Sequence, residues 1–554
     1  MKNVKIAIFQ MNACVGDIDS NINKILENAK IAKKNNVNIF VTPELSLIGY
    51  PPYDLLLRKE FIDYQNKKLF ELINKLKILN DLYVLIGHVS VISGMLYNTI
   101  SIIYNGKIIT SFYKNNLPNY SIFNEKRYFT ASYIKPLIFK VNEINFGVII
   151  CEDLWKGIEI PKIDNIGVQV LLVCNASPYH INKDQERFNI ISKYIDIHKC
   201  SLIYTNLVGG QDDLIFDGSS LAIDNKKESI ITLPRFIENL SFITIKLDHD
   251  NIKFFNDNKN CYKYLYDEDF LYKNIWDALV LSLRDFVHKN NINHVIIGLS
   301  GGIDSALVLA IAVDALGKDK ITTVMLSYKY TSQMSINDAK KMTDIIGNKH
   351  IYIKIDSIVS SIKSTLFNIF DIHNSIENDK TEENIQARVR GNLLMSLSNK
   401  MNAIVLNTSN KSEIATGYCT LYGDMIGAFS VLKDVSKTMV FKLAKYRNTI
   451  SIVIPENIIN RKPSAELKVN QLDSDSLPPY DILDGILENF IENKKTYEEI
   501  ISLNYSPQDV KHVLSLVKSS EFKRYQRILG PILTKQSFSS DWIFPITNKF
   551  NFFN

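Results

Sequence analysis

The feature that most restricts the fold is the stretch HVIIGLSGGIDSALVLAIAVDALG at residues 294–317. An apolar, β-branched run ends in Ser300-Gly301-Gly302-Ile303-Asp304-Ser305 and passes straight into an apolar segment of helical length. A strand and a helix that are apolar almost throughout must both be buried, which demands a parallel sheet covered by helices. The paired glycines allow tight or left-handed backbone and let a ligand approach the chain closely. Successive N–H groups at such a turn, with a helix N-terminus behind them, form a nest for an anion. Ser300 and Ser305 add hydroxyl donors, and Asp304 suits a magnesium ion bridging phosphates. The spacing is neither a Walker A loop, since no Lys-Ser/Thr follows the glycines, nor a GxGxxG fingerprint.

Chemistry elsewhere is bounded by the whole chain. Its 554 residues are enough for two large domains or about three ordinary ones. The balance of 64 basic against 59 acidic residues leaves +5, without a long like-charge block, so neither nucleic acid nor a membrane surface is indicated as a partner. The six cysteines (Cys14, Cys151, Cys174, Cys200, Cys261 and Cys419) form no CxxC pair and suggest neither a disulfide framework nor a zinc site. The N-terminal apolar run is broken by Gln10 and Asn12, too early for a signal peptide. No stretch approaches the ~20 apolar residues of a membrane helix. A cytoplasmic location is the expectation.

The first half alternates apolar, β-rich runs with amphipathic stretches, an α/β layout. Strands are expected over 4–10, 38–44, 83–92, 146–153, 168–177 and 201–210, and helices over 21–36 and 184–199. The polar, Asn- and Asp-rich region 251–269 reads as a linker, separating a domain at 1–250 from one at 270–554. The second opens with a helix over 270–289, a strand over 294–300 and a helix over 305–317; 357–382 reads as a helix and a polar loop.

The SGGIDS loop resembles the pyrophosphate loop of the ATP-pyrophosphatase family, whose members cleave ATP between the α and β phosphates to adenylate a substrate. The stretches at 381–399, 407–438 and 461–484 together resemble the NAD synthetase family, over essentially all of 270–554. That resemblance implies a Rossmann-like parallel-sheet adenine nucleotide α-hydrolase domain. ATP would lie on Gly298, Leu299, Ser300, Gly301, Gly302, Ile303, Asp304, Ser305 and Thr408. Deamido-NAD would contact Asn384, Glu413 and Lys523, and Mg2+ would sit on Asp304 and Glu413. Arg388 and Arg390 would lie near deamido-NAD, while Asp424, Lys433 and Asp434 would line the pocket. Phe538, Pro545 and Ile546 continue the C-terminal pattern. On the residues alone, Arg388 and Arg390 also read as a solvated helix face, and Glu413 as a cap or a partner of Lys411.

In the first half, Glu44, Lys114 and Cys151 fall at or just past the ends of expected strands. A carboxylate, a lysine and a cysteine make a complete acyl-transfer set, and the absence of His from all three contexts argues against a Cys–His pair. The contexts, with LPNYSIFNEKRYF, NASPYHINK and GGQDDLIFDGSS, resemble the nitrilase (carbon–nitrogen hydrolase) family over about 1–250. This implies an α-β-β-α sandwich and a Glu-Lys-Cys triad. In the glutamine-dependent members of the synthetase family this domain hydrolyses glutamine. Tyr120, Ser177 and Lys183 match positions that grip it, and Glu152 would orient the triad. Asn116, Asn124 and Tyr53 depart from the His, Asp and acidic residue usual there.

Taken together, the resemblances imply amidation of deamido-NAD to NAD with ATP and glutamine, a sheltered passage for ammonia, and a homo-oligomer. Three alternatives stay open from sequence: a scaffolding N-terminal half with free ammonia as donor, an adenylating amidotransferase for another substrate, and a pure nucleotide-binding regulator, which leaves the Glu44, Lys114 and Cys151 set unexplained.

Overall fold

The computed structural model describes residues 2–133, 137–156, 167–248, 251–256, 268–370, 379–526, 528–550 and 552–553. The chain divides into two units, residues 1–266 and 267–554.

The first unit is built on two sheets. One runs in the order Asn251–Asn256, Asn239–Asp248, Lys2–Gln10, Ile39–Val41, Tyr83–Ile92, Met95–Tyr104, Lys107–Tyr113. The other runs Ile230–Thr232, Leu221–Ile223, Ser201–Asn206, Val170–Asn175, Ile144–Ile150, Leu137–Val141. Val4, Ile6 and Ile8 join Val148, Ile150, Leu172 and Ile203 in one buried cluster, so the sheets face each other. Ala7 and Phe9, on the opposite side of the same strand, are buried too. Helices therefore cover the outer faces, and Ile18–Lys34 shows how: Ile18, Ile22, Ile25, Ala29 and Ala32 are buried at helical spacing. The result is the α-β-β-α sandwich.

Part of the stretch expected to link the domains belongs to this sandwich. Asn251–Asn256 pairs antiparallel with Asn239–Asp248. Ile252 and Phe254 point inward, whereas Phe255 is exposed. This short period-2 alternation is easily lost among Asn, Asp and Lys. Residues 257–267 of that stretch, with Cys261, lie outside the described residues, as do 371–378 of the expected polar loop.

The second unit carries a wholly parallel sheet in the order Lys349–Lys354, Ile321–Ser327, Val295–Gly298, Ile404–Asn407, Phe429–Ser430. The strand order reverses beside Val295–Gly298, which makes the carboxyl ends of the strands there the natural crevice for a ligand. The following helix, Ile303–Leu316, begins two residues earlier than sequence patterning suggests, with Gly302 in extended backbone at the N-cap position. Glu268–Lys289 is the expected opening helix of the unit. Among the described residues no helix is long and apolar enough to cross a membrane.

Candidate active sites

The first site gathers where strands of both sheets end. Glu44 follows Ile39–Val41, Lys114 follows Lys107–Tyr113, Cys151 follows Ile144–Ile150, and Ser177 lies two residues past Val170–Asn175. The Glu44 loop can approach its neighbour strand only because residue 87 is glycine; a Cβ there would stand 2.4 Å from Leu45 N and Pro43 O. Cys151 sits on a sharp turn with φ +41° and ψ −95°. Such backbone costs a non-glycine residue of order 1–3 kcal/mol and persists where the surroundings impose it. Here the Cys151 N–H donates to Cys174 O at 3.1 Å.

Glu44, Lys114 and Cys151 are all buried. Lys114 Nζ donates to Glu44 Oε1 at 2.7 Å and to Glu125 Oε1 at 2.8 Å. Glu44 also accepts from Asn98 Nδ2 (2.7 Å) and Ala176 N (2.9 Å). Burial works against the Lys114 charge, but Glu125 and Glu44 hold its amine well above the usual lysine range. Burial and then the Glu44 charge push the Cys151 thiol well up, with Lys114 pulling the other way. These surroundings favour the thiol of Cys151 over its thiolate.

Two carboxylates here were not singled out from sequence. Glu125, inside the quoted LPNYSIFNEKRYF, is pushed up to about 7 by burial and accepts from Tyr50 OH at 2.7 Å. Asp153, inside Cys-Glu-Asp, accepts at Oδ1 from Asn116 N (2.8 Å), Asn115 N (3.2 Å) and Asn116 Nδ2 (3.2 Å), and at Oδ2 from Ile150 N (3.3 Å). It pins the Lys114 loop to the Cys151 turn. Asn116, at a position where the resemblance led one to expect His, supplies a side-chain donor to this clamp.

Tyr120 is half-exposed, its hydroxyl donating to Glu152 at 3.1 Å. Ser177 is buried and tied through its backbone to Asn206. Lys183 opens the helix Lys183–His198 with its amine 3.8 Å from the Trp155 ring centroid. Burial and then the Arg187 charge lower it to about 8.

The second site is a cavity of about 420 Å³ at the carboxyl ends of the parallel sheet. Gly298, Leu299, Ser300, Gly302, Ile303, Asp304, Ser305, Thr408, Asn384, Glu413 and Lys523 all line it. Gly301 does not. It has φ +80°, and a Cβ on it would stand 2.3 Å from Ser335 O. Its carbonyl accepts from Arg461, whose other guanidinium nitrogen donates to Ser335 Oγ at 2.8 Å. Within the loop Ser300 Oγ accepts from Gly302 N, and Ser305 Oγ lies 3.2 Å from Ser300 Oγ.

Asp304 and Glu413 share a lysine. Lys437 Nζ is 2.6 Å from Asp304 Oδ2 and 3.3 Å from Glu413 Oε1, and Asn410 Nδ2 donates to Asp304 Oδ1 at 2.9 Å. Glu413 also closes a capping box with Asn410, so its structural reading and its place in the cavity both hold. Burial pushes Glu413 up to about 8, partly offset by Lys437. Lys437, in the quoted Asp434-Val435-Ser436-Lys437-Thr438, was not singled out from sequence. Nothing in a lone Lys signals that two distant carboxylates will converge on it.

Of the five further residues expected around this pocket, Arg390 and Asp424 line it, and Arg388, Lys433 and Asp434 do not. Arg390 lines the cavity, and burial lowers it to about 10. Arg388, two residues earlier and so on another helix face, is exposed and does not line it. Asp424 lines the cavity and is pushed up to about 6 by burial. Lys433 and Asp434 instead bind the C-terminal segment. Lys433 donates to Ser539 Oγ (2.8 Å), and Asp434 accepts from Leu533 N (2.8 Å) and Thr534 N (2.7 Å). Phe538 is buried in the helical core. Lys523 donates to Gly417 O (2.7 Å) and Cys419 O (2.6 Å), which fixes the loop between them.

Comparison with known proteins gives two family models, Carbon-nitrogen hydrolase over residues 5–249 and NAD synthase over 275–527. The chain is 44% identical to the glutamine-dependent NAD(+) synthetase of Acinetobacter baylyi, with 99% of each chain covered. It is 37% identical to that of Thermotoga maritima at the same coverage. Among solved structures it resembles the glutamine-dependent NAD+ synthetase of Acinetobacter baumannii in complex with adenosine diphosphate, with TM-score 0.77, 41% identity and 99% of both chains covered. The enzyme of Cytophaga hutchinsonii shares the fold, with TM-score 0.83, 22% identity and 99% and 98% coverage.

Proposed function

The chain belongs to the glutamine-dependent NAD(+) synthetases, and from that premise we propose how its own residues divide the reaction. The observation that carries the proposal is the pairing, in one chain, of the buried Glu44–Lys114–Cys151 group with a nucleotide-sized cavity on the SGGIDS loop.

In the first unit, Cys151 Sγ attacks the side-chain amide carbon of glutamine. Glu44, aimed by Lys114, Asn98 and Ala176 N, takes the thiol proton and returns it to the departing ammonia. Lys114 stabilises the oxyanion. Water activated by Glu44 then hydrolyses the thioester to glutamate. Lys183, cationic at neutral pH and held against Trp155, suits the α-carboxylate of glutamine, and Tyr120 and Ser177 complete the pocket.

In the second unit, the nicotinate carboxylate of deamido-NAD attacks the α-phosphorus of ATP. Pyrophosphate leaves on the backbone of 300–305, and ammonia then displaces AMP from the adenylate to form the amide. Asn384, Glu413 and Lys523 are assigned to deamido-NAD, and Thr408 to ATP. Asp304 and Glu413 present carboxylate oxygens at the phosphate end, a donor set that fits Mg2+. When bound, that ion neutralises charge building on the phosphates. Lys437, already between the two carboxylates, supplies a positive charge to the pair before the nucleotide arrives. A cytoplasmic homo-oligomer is part of the same proposal.

The test is stoichiometry: purified chain with deamido-NAD, MgATP and glutamine should yield NAD, AMP, pyrophosphate and glutamate in equal amounts. ADP in place of AMP, or an inert deamido-NAD, would refute it.

A further inference from the structure

The stretch GGQDDLIFDGSS brings in half of a buried charge pair that the proposed reaction leaves unused. Arg187 Nη1 and Nη2 donate to Asp217 Oδ2 and Oδ1, each at 3.1 Å, and both side chains are shut away from water. Asp217 also accepts from Asn206 Nδ2 at 3.4 Å. The same Asn206 clamps Ser177, accepting from its N–H (2.9 Å) and donating to its carbonyl (3.2 Å). The pair therefore stands at the foot of the segment that carries both Ser177 and Lys183. Lys183 is the first residue of the helix Lys183–His198, and Arg187 follows it by four, on the same face. The helix N-terminus and Arg187 both oppose a cation at Lys183, and of the charges that reach its amine that of Arg187 acts most strongly. Glu186 Oε2 lies 3.8 Å from the amine and 3.3 Å from His180 Nε2, but its side chain is a third exposed, so water screens it. From outside the helix, Cys151 and Asp217 act on the amine, and burial favours the thiol form of Cys151.

We propose that Asp217 is a positioning residue for glutamine: held by both terminal nitrogens of Arg187, it cancels that charge beside Lys183 and keeps the Lys183 amine fit to hold the α-carboxylate. The inference rests on the assignment of Lys183 to that carboxylate. A buried charge is little screened, so taking the charge off residue 217 exposes Lys183 to Arg187 in full. The cationic amine is the form that binds a carboxylate, and with its protonation held at about 8 that form is lost as pH rises through this value. Without the Asp217 charge the loss comes at lower pH, by about one unit or more. Asn at 217 keeps an oxygen for Asn206 and so spares the clamp on Ser177. What it removes is the charge.

The test is the KM for glutamine in NAD formation from about pH 6 to pH 9, on the wild type, on Asp217→Asn, and on Asp217→Asn combined with Arg187→Met. The α-amino group of glutamine titrates alike in all three, so differences between the profiles belong to the protein. In the wild type the KM should rise above about pH 8. In Asp217→Asn the rise should begin about one pH unit lower, which makes the KM about fivefold higher than wild type at pH 8 and leaves it within about twofold at pH 6. Removing the Arg187 charge as well should return the wild-type profile. An equal rise in KM at every pH, a fall in kcat with KM unmoved, or a double variant no better than the single marks a purely structural pair and overturns the inference. Should Asp217→Asn lose ammonium-driven synthesis too, as an unfolded chain would, Arg187→Gln decides: it should move the rise to higher pH, and an unmoved rise overturns the inference. Lys183→Met separates the two levels. A KM for glutamine that it leaves unchanged sinks the assignment of Lys183, whereas a KM that it raises at pH 6, beside an unshifted Asp217→Asn profile, sinks only the role of Asp217.

Discussion

Asp153 offers a sharp test of how the glutaminase half is held together. Its Oδ1 accepts three hydrogen bonds from residues 115 and 116, and its Oδ2 accepts one from Ile150 N. Replacement by Asn keeps the size of the side chain. The retained oxygen can hold the three donors of the Lys114 loop, but the new amide then faces the Ile150 N–H, donor against donor. A lost hydrogen bond with a buried donor left unmatched costs about 1–3 kcal/mol. If the turn relaxes instead, Cys151 and Lys114 move apart, and about 1 Å of misplacement costs on the order of 10²-fold in rate. Glutamine-driven NAD formation by Asp153→Asn should therefore fall by about 10- to 100-fold in kcat, with the KM for glutamine changed much less and ammonium-driven formation retained. Burial pushes the Asp153 carboxyl up to about 7. Below that pH the wild type carries the neutral acid, which the amide imitates, and above it the wild type carries the charge. The gap between wild type and variant should accordingly widen from pH 6 to pH 8. The assay is NAD formation with each donor across that range. Unaltered glutamine turnover in a folded variant, or equal losses with both donors, would refute the clamp.

Two further outcomes follow from the same geometry. Burial lowers His88 to about 4 from an ordinary 6.5, so the fold gains stability from keeping it neutral. That contribution is complete above pH 6.5 and is lost as pH falls toward 4, at most about 3 kcal/mol; replacing His88 by Gln should flatten the acid limb of a denaturation series. Gly301→Ala adds a Cβ 2.3 Å from Ser335 O at φ +80°, about 1–2 kcal/mol of backbone strain before any clash. It should slow glutamine- and ammonium-driven NAD formation together, and a loss confined to glutamine would contradict the role of the loop.

How much was legible in the sequence depended on whether a residue's partners are local. The 294–317 stretch announces its own strand, turn and helix, because an apolar run, two glycines and a second apolar run are contiguous. Cys151 and Lys114 stand out because each follows a strand. Glu125, Asp153 and Lys437 acquire their meaning from groups 11 to 133 residues away: Glu125 from Lys114, Asp153 from Asn115 and Asn116, Lys437 from Asp304. No spacing rule reaches that far. Lys433 and Asp434 show the converse. They adjoin pocket residues in sequence, yet their side chains turn to the C-terminal segment, whose donors at Leu533 and Thr534 satisfy Asp434. The strand at 251–256 was hidden for a different reason: it pairs at a sheet edge, where only Ile252 and Phe254 need be apolar.

The central claim is that two separate chemistries in one chain meet through ammonia. Its most direct test is NAD formation by Cys151→Ala, supplied with deamido-NAD and MgATP and with either glutamine or ammonium. Removing the thiol deletes the proposed nucleophile and touches neither the Lys114–Glu44 nor the Lys437–Asp304 contact. Loss of glutamine-driven synthesis with ammonium-driven synthesis kept within about twofold of wild type is the expected result. Glutamine still serving as donor in Cys151→Ala would contradict the assignment of the first site.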